Sequence, residues 1–292
     1  ATYMKNIKKE KRKKILTILL VSLFAFSGWV YWGNIAIQTT KININNEKIP
    51  ESFDGFTIVQ VSDLHNAEFG NNQSRLLNAI KAVSPDFIAV TGDLIDSNHT
   101  DVAKAMEFIN GAIEIAPVYY VTGNHEARSD QYAKLKQQML EAGVIMLEDE
   151  GTTIKREGAS IRLFGLNDPN FTATDDAYES AAMVDTKLKA MLSKNNEYTI
   201  LLSHRPELFD IYAENSIDLV LSGHAHGGQV RLPFIGGLVA PNQGFFPKYS
   251  EGVHEKEQTK MIVSRGLGNS IIPVRINNRP ELVVITLDHK QI

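Results

Sequence analysis

Five short apolar runs, each ending on residue types that bind metal ions, constrain the fold of this 292-residue chain more than any other feature. Each run has the length and the apolar content of a buried β-strand. The runs and the residues that follow them are Thr57–Ser62 with Asp63 and His65, Phe87–Thr91 with Gly92 and Asp93, Val118–Thr122 with Gly123, Asn124, His125 and Glu126, Tyr198–Ser203 with His204, and Leu219–Ser222 with Gly223, His224 and His226. Because loops after the carboxyl ends of parallel strands meet at one edge of a sheet, the sequence predicts a single polar site there.

Helical periodicity separates these runs. Apolar residues recur at three- and four-residue steps over Gln73–Val83, Val102–Ile113, Asp130–Ala142 and Asp176–Ser193. Ser129 is a candidate N-cap for the third of these helices. Alternating strands and helices predict βαβ units, and almost continuously apolar strands predict sheets covered on both faces.

The last third of the chain changes character. Its strand-like segments, Val230–Leu232, Met261–Ser264, Val274–Ile276 and Leu282–Leu287, are separated by turns and not by helices. We therefore predict an α+β fold with two packed mixed β-sheets flanked by helices. Residues 53–292 are predicted to form one domain.

The amino-terminal segment predicts a membrane anchor. Residues 1–14 carry seven basic side chains and one acid, whereas residues 15–37 carry no charge and have Trp29, Tyr31 and Trp32 near their far end. About 20 apolar residues span a bilayer, and flanking basic residues stay in the cytoplasm. We expect a single-pass helix in the cell membrane with the domain outside the cytoplasm. A cleavable signal peptide, which would release a secreted protein, is the alternative. Residues 38–52 are predicted to be a short polar tether that could include an edge strand.

The charge of the remaining chain argues against nucleic acid as a partner. The chain has a net charge of −4, and residues 1–37 contribute +6, so residues 38–292 carry −10. Phosphate backbones attract basic surfaces and not acidic ones. The sequence contains no cysteine, which excludes disulfides and thiolate metal sites.

The residues at the strand ends predict two metal ions. Five of the eight histidines of the chain lie there together with carboxylates and one amide, and this mixture suits Mn, Fe or Zn. The set exceeds what one ion needs, so two ions that share Asp93 explain it. Two such ions clamp the attacking and leaving oxygens of a phosphoryl displacement. His125 is the candidate acid for the leaving oxygen, and Asp96 is suited to hold its tautomer.

In this order the motifs over residues 57–229 resemble those of calcineurin-like metallophosphoesterases. The resemblance implies a four-layer α/β/β/α sandwich with a dinuclear centre, in which a metal-bridging hydroxide attacks phosphorus in line. It implies that one ion is held by Asp63, His65, Asp93 and His226, and the other by Asp93, Asn124, His204 and His224. It also implies that His125, oriented by Asp96, acts on the leaving group.

The substrate hypothesis rests on two further features. The run from Gly266 to Ser270 and on to Pro280 and Glu281 is similar to the bacterial membrane-associated branch of the family, which implies phosphodiester or pyrophosphate bonds of envelope lipids or nucleotide-linked compounds. Protein phosphatases of the family have an arginine after the second aspartate motif, where this chain has Ser97. Arg128, Arg205 or Arg265 could replace that phosphate clamp.

Several alternatives remain at this point. A membrane-tethered metal-binding scaffold or sensor without catalysis would keep the same ligands. A metallo-β-lactamase type of hydrolase does not fit, because His226 is followed by Gly-Gly-Gln. Asn167 and Asp168 favour a turn. Leu232–Tyr249, rich in aromatic residues, is either ordered loop packing or an apolar rim that accepts a lipid chain. His99, His254 and His289 match no motif and are expected to be solvated.

Overall fold

The computed structural model describes residues 2–172, 177–192, 196–269 and 272–289. The helices are α1 (Thr2–Ile35), α2 (Ser74–Lys81), α3 (Val102–Ile113), α4 (Asn124–Arg128), α5 (Tyr132–Ala142), α6 (Ala177–Met191) and α7 (Phe209–Glu214). The strands are β1 (Gln38–Asn46), β2 (Phe56–Val61), β3 (Phe87–Thr91), β4 (Val118–Val121), β5 (Ile145–Met146), β6 (Glu150–Arg156), β7 (Ala159–Gly165), β8 (Thr199–Leu202), β9 (Leu219–Ser222), β10 (Arg231–Leu232), β11 (Gly236–Gly237), β12 (Val239–Ala240), β13 (Gly244–Phe245), β14 (Gly252–Lys256), β15 (Thr259–Val263) and β16 (Glu281–His289).

Two six-stranded mixed sheets form the centre of the domain. The first has the order β1-β16-β2-β3-β4-β5, and the second has the order β14-β15-β9-β8-β7-β6. In the first sheet β2, β3, β4 and β5 run parallel, and in the second β7, β8, β9 and β15 do. The antiparallel pairs are β16 with β2, β6 with β7, and β14 with β15.

Alternation along the strands builds a four-layer sandwich. On β3, Phe87 and Ala89 enter the apolar cluster between the sheets, whereas Ile88 and Val90 pack in the cluster under α2, α3 and α5. The second sheet alternates in the same way, and its outer face packs on α6 and α7. Successive side chains of a strand point to opposite faces, so these apolar strands are buried on both sides. The predicted α/β/β/α architecture is confirmed.

The predicted strands and helices agree with the structure with one exception, and the N-cap of α5 is Gln131 and not the predicted Ser129. Val274–Ile276 is not a strand, and only a single bridge joins Ile276 to Val230. The backbone of Arg275 pairs instead with a side chain, because its N–H donates to Asn34 Oδ1 and its carbonyl accepts from Asn34 Nδ2. The predicted helix limits Asp176 and Ser193, and Ser270 of the C-terminal run, lie outside the described residues.

Helix α1 is long and apolar enough over Lys9–Ile35 to cross a membrane. Its apolar side chains are exposed along its length, from Ile15 to Trp32. Only residues 36 and 37 separate it from β1, which pairs with β16 over nine residues at the edge of the first sheet. Most of the segment predicted as a tether is therefore part of the sheet, since its backbone groups pair with a neighbouring strand.

Candidate metal centre

Backbone hydrogen bonds draw the loops of the first sheet together. Asp63 N donates to Gly92 O, and His65 N donates to Asp93 O, both at 3.0 Å. Gly92 has a φ of +90°, and a Cβ at this position would lie 2.7 Å from Gly123 N and from His204 Nδ1. Glycine is therefore required both for the left-handed backbone and for the close approach of the two sheets.

The first cluster of candidate ligands contains Asp63, His65 and His226, and all three side chains are buried. The two histidine Nε2 atoms lie 3.1 Å apart, and His226 Nε2 lies 3.4 Å from Asp63 Oδ1. Ser62 Oγ donates to Asp63 Oδ2 at 2.5 Å, which orients the carboxylate. A Cβ at Gly223 would lie 1.9 Å from Ser62 Oγ, so only glycine lets the second sheet approach here.

The second cluster contains Asp93, His204 and His224, with Asn124 beside it. His204 Nε2 lies 3.1 Å from Asp93 Oδ2, 3.1 Å from His224 Nδ1 and 3.2 Å from Asn124 Oδ1. His204 Nδ1 lies 2.8 Å from Thr91 O, so the carbonyl accepts from this nitrogen and Nε2 is left for the cluster.

Asp93 lies between the clusters. Its Oδ2 is 3.1 Å from His204 Nε2 and 3.7 Å from His65 Nε2. Its Oδ1 accepts from the backbone N–H of His125 at 2.8 Å, which fixes the carboxylate plane. The structure therefore brings all seven sequence-predicted ligands together, with Asp93 in the position expected of a bridge.

The donor set fits divalent cations. Three atoms, Asp93 Oδ2, His224 Nδ1 and Asn124 Oδ1, lie 3.1–3.2 Å from His204 Nε2, and a single N–H on that nitrogen cannot serve all three. Five of the seven predicted ligands have positive φ angles, namely Asp63 (51°), His65 (47°), Asp93 (52°), His224 (67°) and His226 (48°). Such conformations are strained for these residue types and are concentrated at functional sites.

Burial and charge set the protonation of the cluster residues. Burial lowers the pKa of His65 to about 3 and lowers the pKa of His224 and of His226 well below the usual value. These rings are therefore neutral, as coordination requires. Burial also acts to lower the pKa of His204, but the carboxylate of Asp93 outweighs it and raises that pKa to about 10. Without metal, His204 and Asp93 form a cation–anion pair, and a bound ion would displace the proton.

His125 is held by Ser97. The backbone N–H of Ser97 donates to His125 Nδ1 at 2.9 Å, and Ser97 Oγ lies 3.2 Å from the same atom. In the neutral ring Nδ1 is then the acceptor, so Nε2 carries the proton. Asp96, predicted to orient this ring, has its Oδ2 4.0 Å from Nδ1, too far for a hydrogen bond. The other oxygen of Asp96 accepts from Asn98 N and His99 N and closes the loop turn.

Glu126 supports the centre, although the sequence motif alone assigned it no role. Its buried carboxylate accepts from the backbone N–H groups of Asp93, Leu94, Ile95 and Gly123 at 2.7–3.2 Å. It therefore joins the loop after β3 to the start of α4. The signal available in the sequence was an acid three residues after the glycine that ends a strand, the spacing of a capping box.

Two of the three arginines proposed as phosphate clamps lie beside carboxylates, and the third is exposed. Arg205 pairs with Asp168 through two hydrogen bonds of 2.5 and 2.8 Å. Arg265 lies 3.1 Å from Glu281, and Arg128 is exposed. Asp168 also caps the short turn at Pro169–Phe171, which agrees with the predicted turn.

The aromatic segment is tied to the centre by Asn242. Its Oδ1 lies 3.1 Å from His224 Nε2 and 3.2 Å from Arg205 Nη1. The hairpin that contains it, β12–β13, ends in Phe245, which is 75% exposed, and Phe246 is 61% exposed. These rings are not packed in the domain, so ordered loop packing does not describe these two side chains.

The fold is a four-layer sandwich, and histidine–aspartate clusters lie at the carboxyl ends of its parallel strands. This is the arrangement expected of a metallophosphoesterase. Residues 56–228 match the family model described as calcineurin-like phosphoesterase, and the chain belongs to that family. The chain is 32% identical over 259 residues to the metallophosphoesterase YkuE of Bacillus subtilis, covering 86% of this chain and 85% of that protein. It is 25% identical over 238 residues to the phosphodiesterase YaeI of Escherichia coli, covering 80% and 82%. A transmembrane protein with a metallophosphoesterase domain from Danio rerio is 28% identical over 289 residues, covering 94% of this chain and 63% of that protein.

Proposed function

We propose that the chain is a membrane-anchored phosphoesterase that hydrolyses phosphodiester or pyrophosphate bonds of an envelope lipid or a nucleotide-linked compound. The observation that carries the proposal is the position of Asp93 between two ligand clusters, with His125 beside them. Family membership supports a metal-dependent hydrolase, and one relative is named a phosphodiesterase.

We assign the ligands as two overlapping sets. Asp63, His65, Asp93 and His226 would hold one ion, and Asp93, Asn124, His204 and His224 the other. Two divalent ions of the Mn, Fe or Zn type, when bound, activate a water and stabilise charge on the phosphate oxygens. The remaining contributions come from side chains of the chain itself.

His125 acts on the leaving oxygen. In the neutral ring Ser97 N donates to Nδ1, so the proton on Nε2 is available to the substrate. As an acid the ring begins protonated at both nitrogens, gives the Nε2 proton to the leaving oxygen, and ends neutral with its remaining proton on Nδ1. In the doubly protonated ring Ser97 Oγ, 3.2 Å from Nδ1, is the acceptor and Asp96 Oδ2 at 4.0 Å contributes its charge. Ser97 can thus serve both protonation states of the ring.

The substrate class follows from what surrounds the centre. A bidentate guanidinium is well suited to the extra charge of a terminal phosphate. Ser97 occupies the arginine position of the protein phosphatases, and Arg205 is committed to Asp168. Both facts support a diester or a pyrophosphate diester. The exposed Phe245 and Phe246 support a substrate with an acyl chain.

The exposed apolar helix α1 and the transmembrane relatives support anchoring. The basic residues before it favour an amino end in the cytoplasm, so the domain would face outward.

The test is an assay of the Mn-reconstituted chain on a simple phosphodiester, a phosphomonoester and a lipid pyrophosphate, with metal content measured in parallel. We expect turnover of the diester and the lipid pyrophosphate to exceed that of the monoester. Two bound ions without turnover of any substrate would favour a scaffold or sensor. Preferred turnover of the monoester would contradict the substrate class.

A further inference from the structure

A second polar site lies where α1 meets the domain. A cavity of about 180 Å³ is bounded on one side by Trp29 and Trp32 of α1 and on the other by Arg265, Arg275 and Arg279. Cavities that hold whole drug-sized ligands measure about 300–1,000 Å³. This one is too small for a complete lipid or nucleotide, but it has room for a phosphate group and the atoms next to it.

The wall opposite the helix carries more positive than negative charge. Arg265 is only 7% exposed and lies 3.1 Å from Glu281 and 3.4 Å from Glu251. For Arg275 and Arg279 no salt bridge is found within the described parts of the chain. Arg275 is buried and its N–H groups donate to the backbone carbonyls of Arg265 and Gly268, which carry no full charge, so an anionic ligand would offset its positive charge.

Arg265 also has unused donors. Neither of its carboxylate contacts has hydrogen-bond geometry, and its buried Nε and Nη2 have no acceptor among the residues that the structure describes. Arginine N–H groups are well suited to phosphate oxygens, which accept two parallel hydrogen bonds. Gln38 and Asn277 also line the cavity and add neutral donors.

The helix side of the cavity indicates where the anion comes from. Trp29 and Trp32 are the only tryptophans of the chain and lie at the end of α1 away from its basic residues. Tryptophan is enriched at the level of lipid headgroups. Arg279 stacks on the Trp32 ring at 4.7 Å and donates to the carbonyls of Ala36 and Ile37, so the charged wall is fixed to the helix end.

We propose that this cavity binds the phosphodiester headgroup of an anionic membrane lipid, separately from the metal centre. The side chain of Arg275 separates the two sites: it lines the cavity, and its Nη2 lies 3.3 Å from His226 Nδ1. A bound headgroup would hold the domain against the membrane at a fixed height. The proposal rests on the proposed insertion of α1 in a bilayer and not on catalysis.

Tryptophan fluorescence tests it, because both tryptophans border the cavity. The full chain is placed in nanodiscs of phosphatidylcholine that contain a small fraction of acyl-brominated lipid, either phosphatidylglycerol or phosphatidylcholine. We expect stronger quenching by brominated phosphatidylglycerol than by brominated phosphatidylcholine at the same mole fraction. The same preference after EDTA treatment separates this site from hydrolysis at the metal centre.

The variants make the result specific. A charge-assisted hydrogen bond to a bound headgroup is stronger than attraction to the membrane surface alone, so Arg279→Gln should reduce the lipid preference roughly tenfold. Arg279→Lys should retain most of it. Arg75→Gln is the matched control, since Arg75 also donates to a carbonyl at the helix end, Ile35 O, but does not line the cavity. An equal loss in this control would overturn the assignment.

Two other outcomes would contradict the proposal. Equal quenching by the two brominated lipids would show no headgroup site. A change in tryptophan emission with inorganic phosphate or glycerol phosphate in pure phosphatidylcholine discs, without a response to phosphatidylglycerol, would assign the cavity to a soluble anion.

Discussion

The metal centre and the aromatic hairpin beside it are built in opposite ways. Every predicted ligand is buried, and Asp63, Asp93 and His125 are each held by at least one hydrogen bond. Phe234, Phe245 and Phe246 are exposed instead and lie on two-strand hairpins outside both sheets. Yet Asn242 joins the hairpin to His224. The difference teaches that rigid strand ends fix the candidate ligands, whereas the aromatic rings beside them are left on the surface.

The largest effect should come from removing the shared carboxylate. Asp93→Ala deletes a candidate ligand of both clusters and leaves His204 without its partner. Loss of a group that only supports a ligand costs about 10–100-fold in metal affinity, so loss of this ligand should cost more than about 100-fold. We expect neither ion to survive dialysis and activity to fall to background. Metal content per chain and the rate on a phosphodiester measure this.

The matched control is Asp130→Ala, an exposed acid just before α5. It should keep both ions and full activity. Retention of two tightly bound ions by Asp93→Ala would refute the bridging assignment.

His125→Ala should have the next largest effect. A positioned acid contributes about 10²–10⁴-fold to a rate, and the loss should be greatest for substrates with poor leaving groups. Metal content should not change, because His125 is not among the assigned ligands. The check is a series of diesters with leaving groups of increasing pKa. If the variant turned over every substrate at the normal rate, His125 would not act on the leaving oxygen.

A third prediction concerns Glu126. Glu126→Gln replaces an acceptor of four backbone N–H groups with a side chain that has only one acceptor oxygen. The loop that carries Asp93 should loosen, and metal affinity should fall about 10–100-fold. Titration with Mn measures the affinity. Glu114→Gln, at an exposed acid after α3, should leave it unchanged. An unchanged affinity in Glu126→Gln would show that the loop is held without this carboxylate.

The buried metal centre could be predicted from the sequence. Strand-like runs such as Phe87–Thr91 ended on ligand residue types, and parallel topology was enough to bring them to one edge. What escaped prediction depends on long-range pairing. The role of Ser97 in place of Asp96 requires the loop after β3 to turn back on α4. An edge strand within residues 38–52 was allowed for, but its pairing with β16 joins residues more than 230 positions apart. Neither local periodicity nor motif spacing encodes such contacts.

The smallest expected effect concerns the exposed hairpin. Phe245→Ser combined with Phe246→Ser removes two rings that contact no core, so the stability should stay within about ±0.5 kcal/mol. Burial of a phenylalanine side chain against an acyl chain contributes about 1.5–3 kcal/mol when complete. Partial burial of two rings therefore predicts a loss of roughly tenfold in kcat/KM for a lipid pyrophosphate. The rate on a soluble diester should not change, because the assigned metal ligands and His125 are intact.

The test depends on the difference between the losses in rate on the lipid pyrophosphate and on the soluble diester, and not on the size of either loss. Asn242 Oδ1 lies 3.1 Å from His224 Nε2, so a general disturbance of the hairpin would also move this candidate ligand. It would therefore lower the rates on both substrates together. Equal losses would therefore contradict a lipid-binding rim and assign the hairpin a structural role. Leu140→Ser, at an exposed apolar side chain on α5, is the control for loss of surface hydrophobicity. A selective loss confined to the hairpin variant and the lipid substrate requires that the acyl chain lie on these rings during turnover.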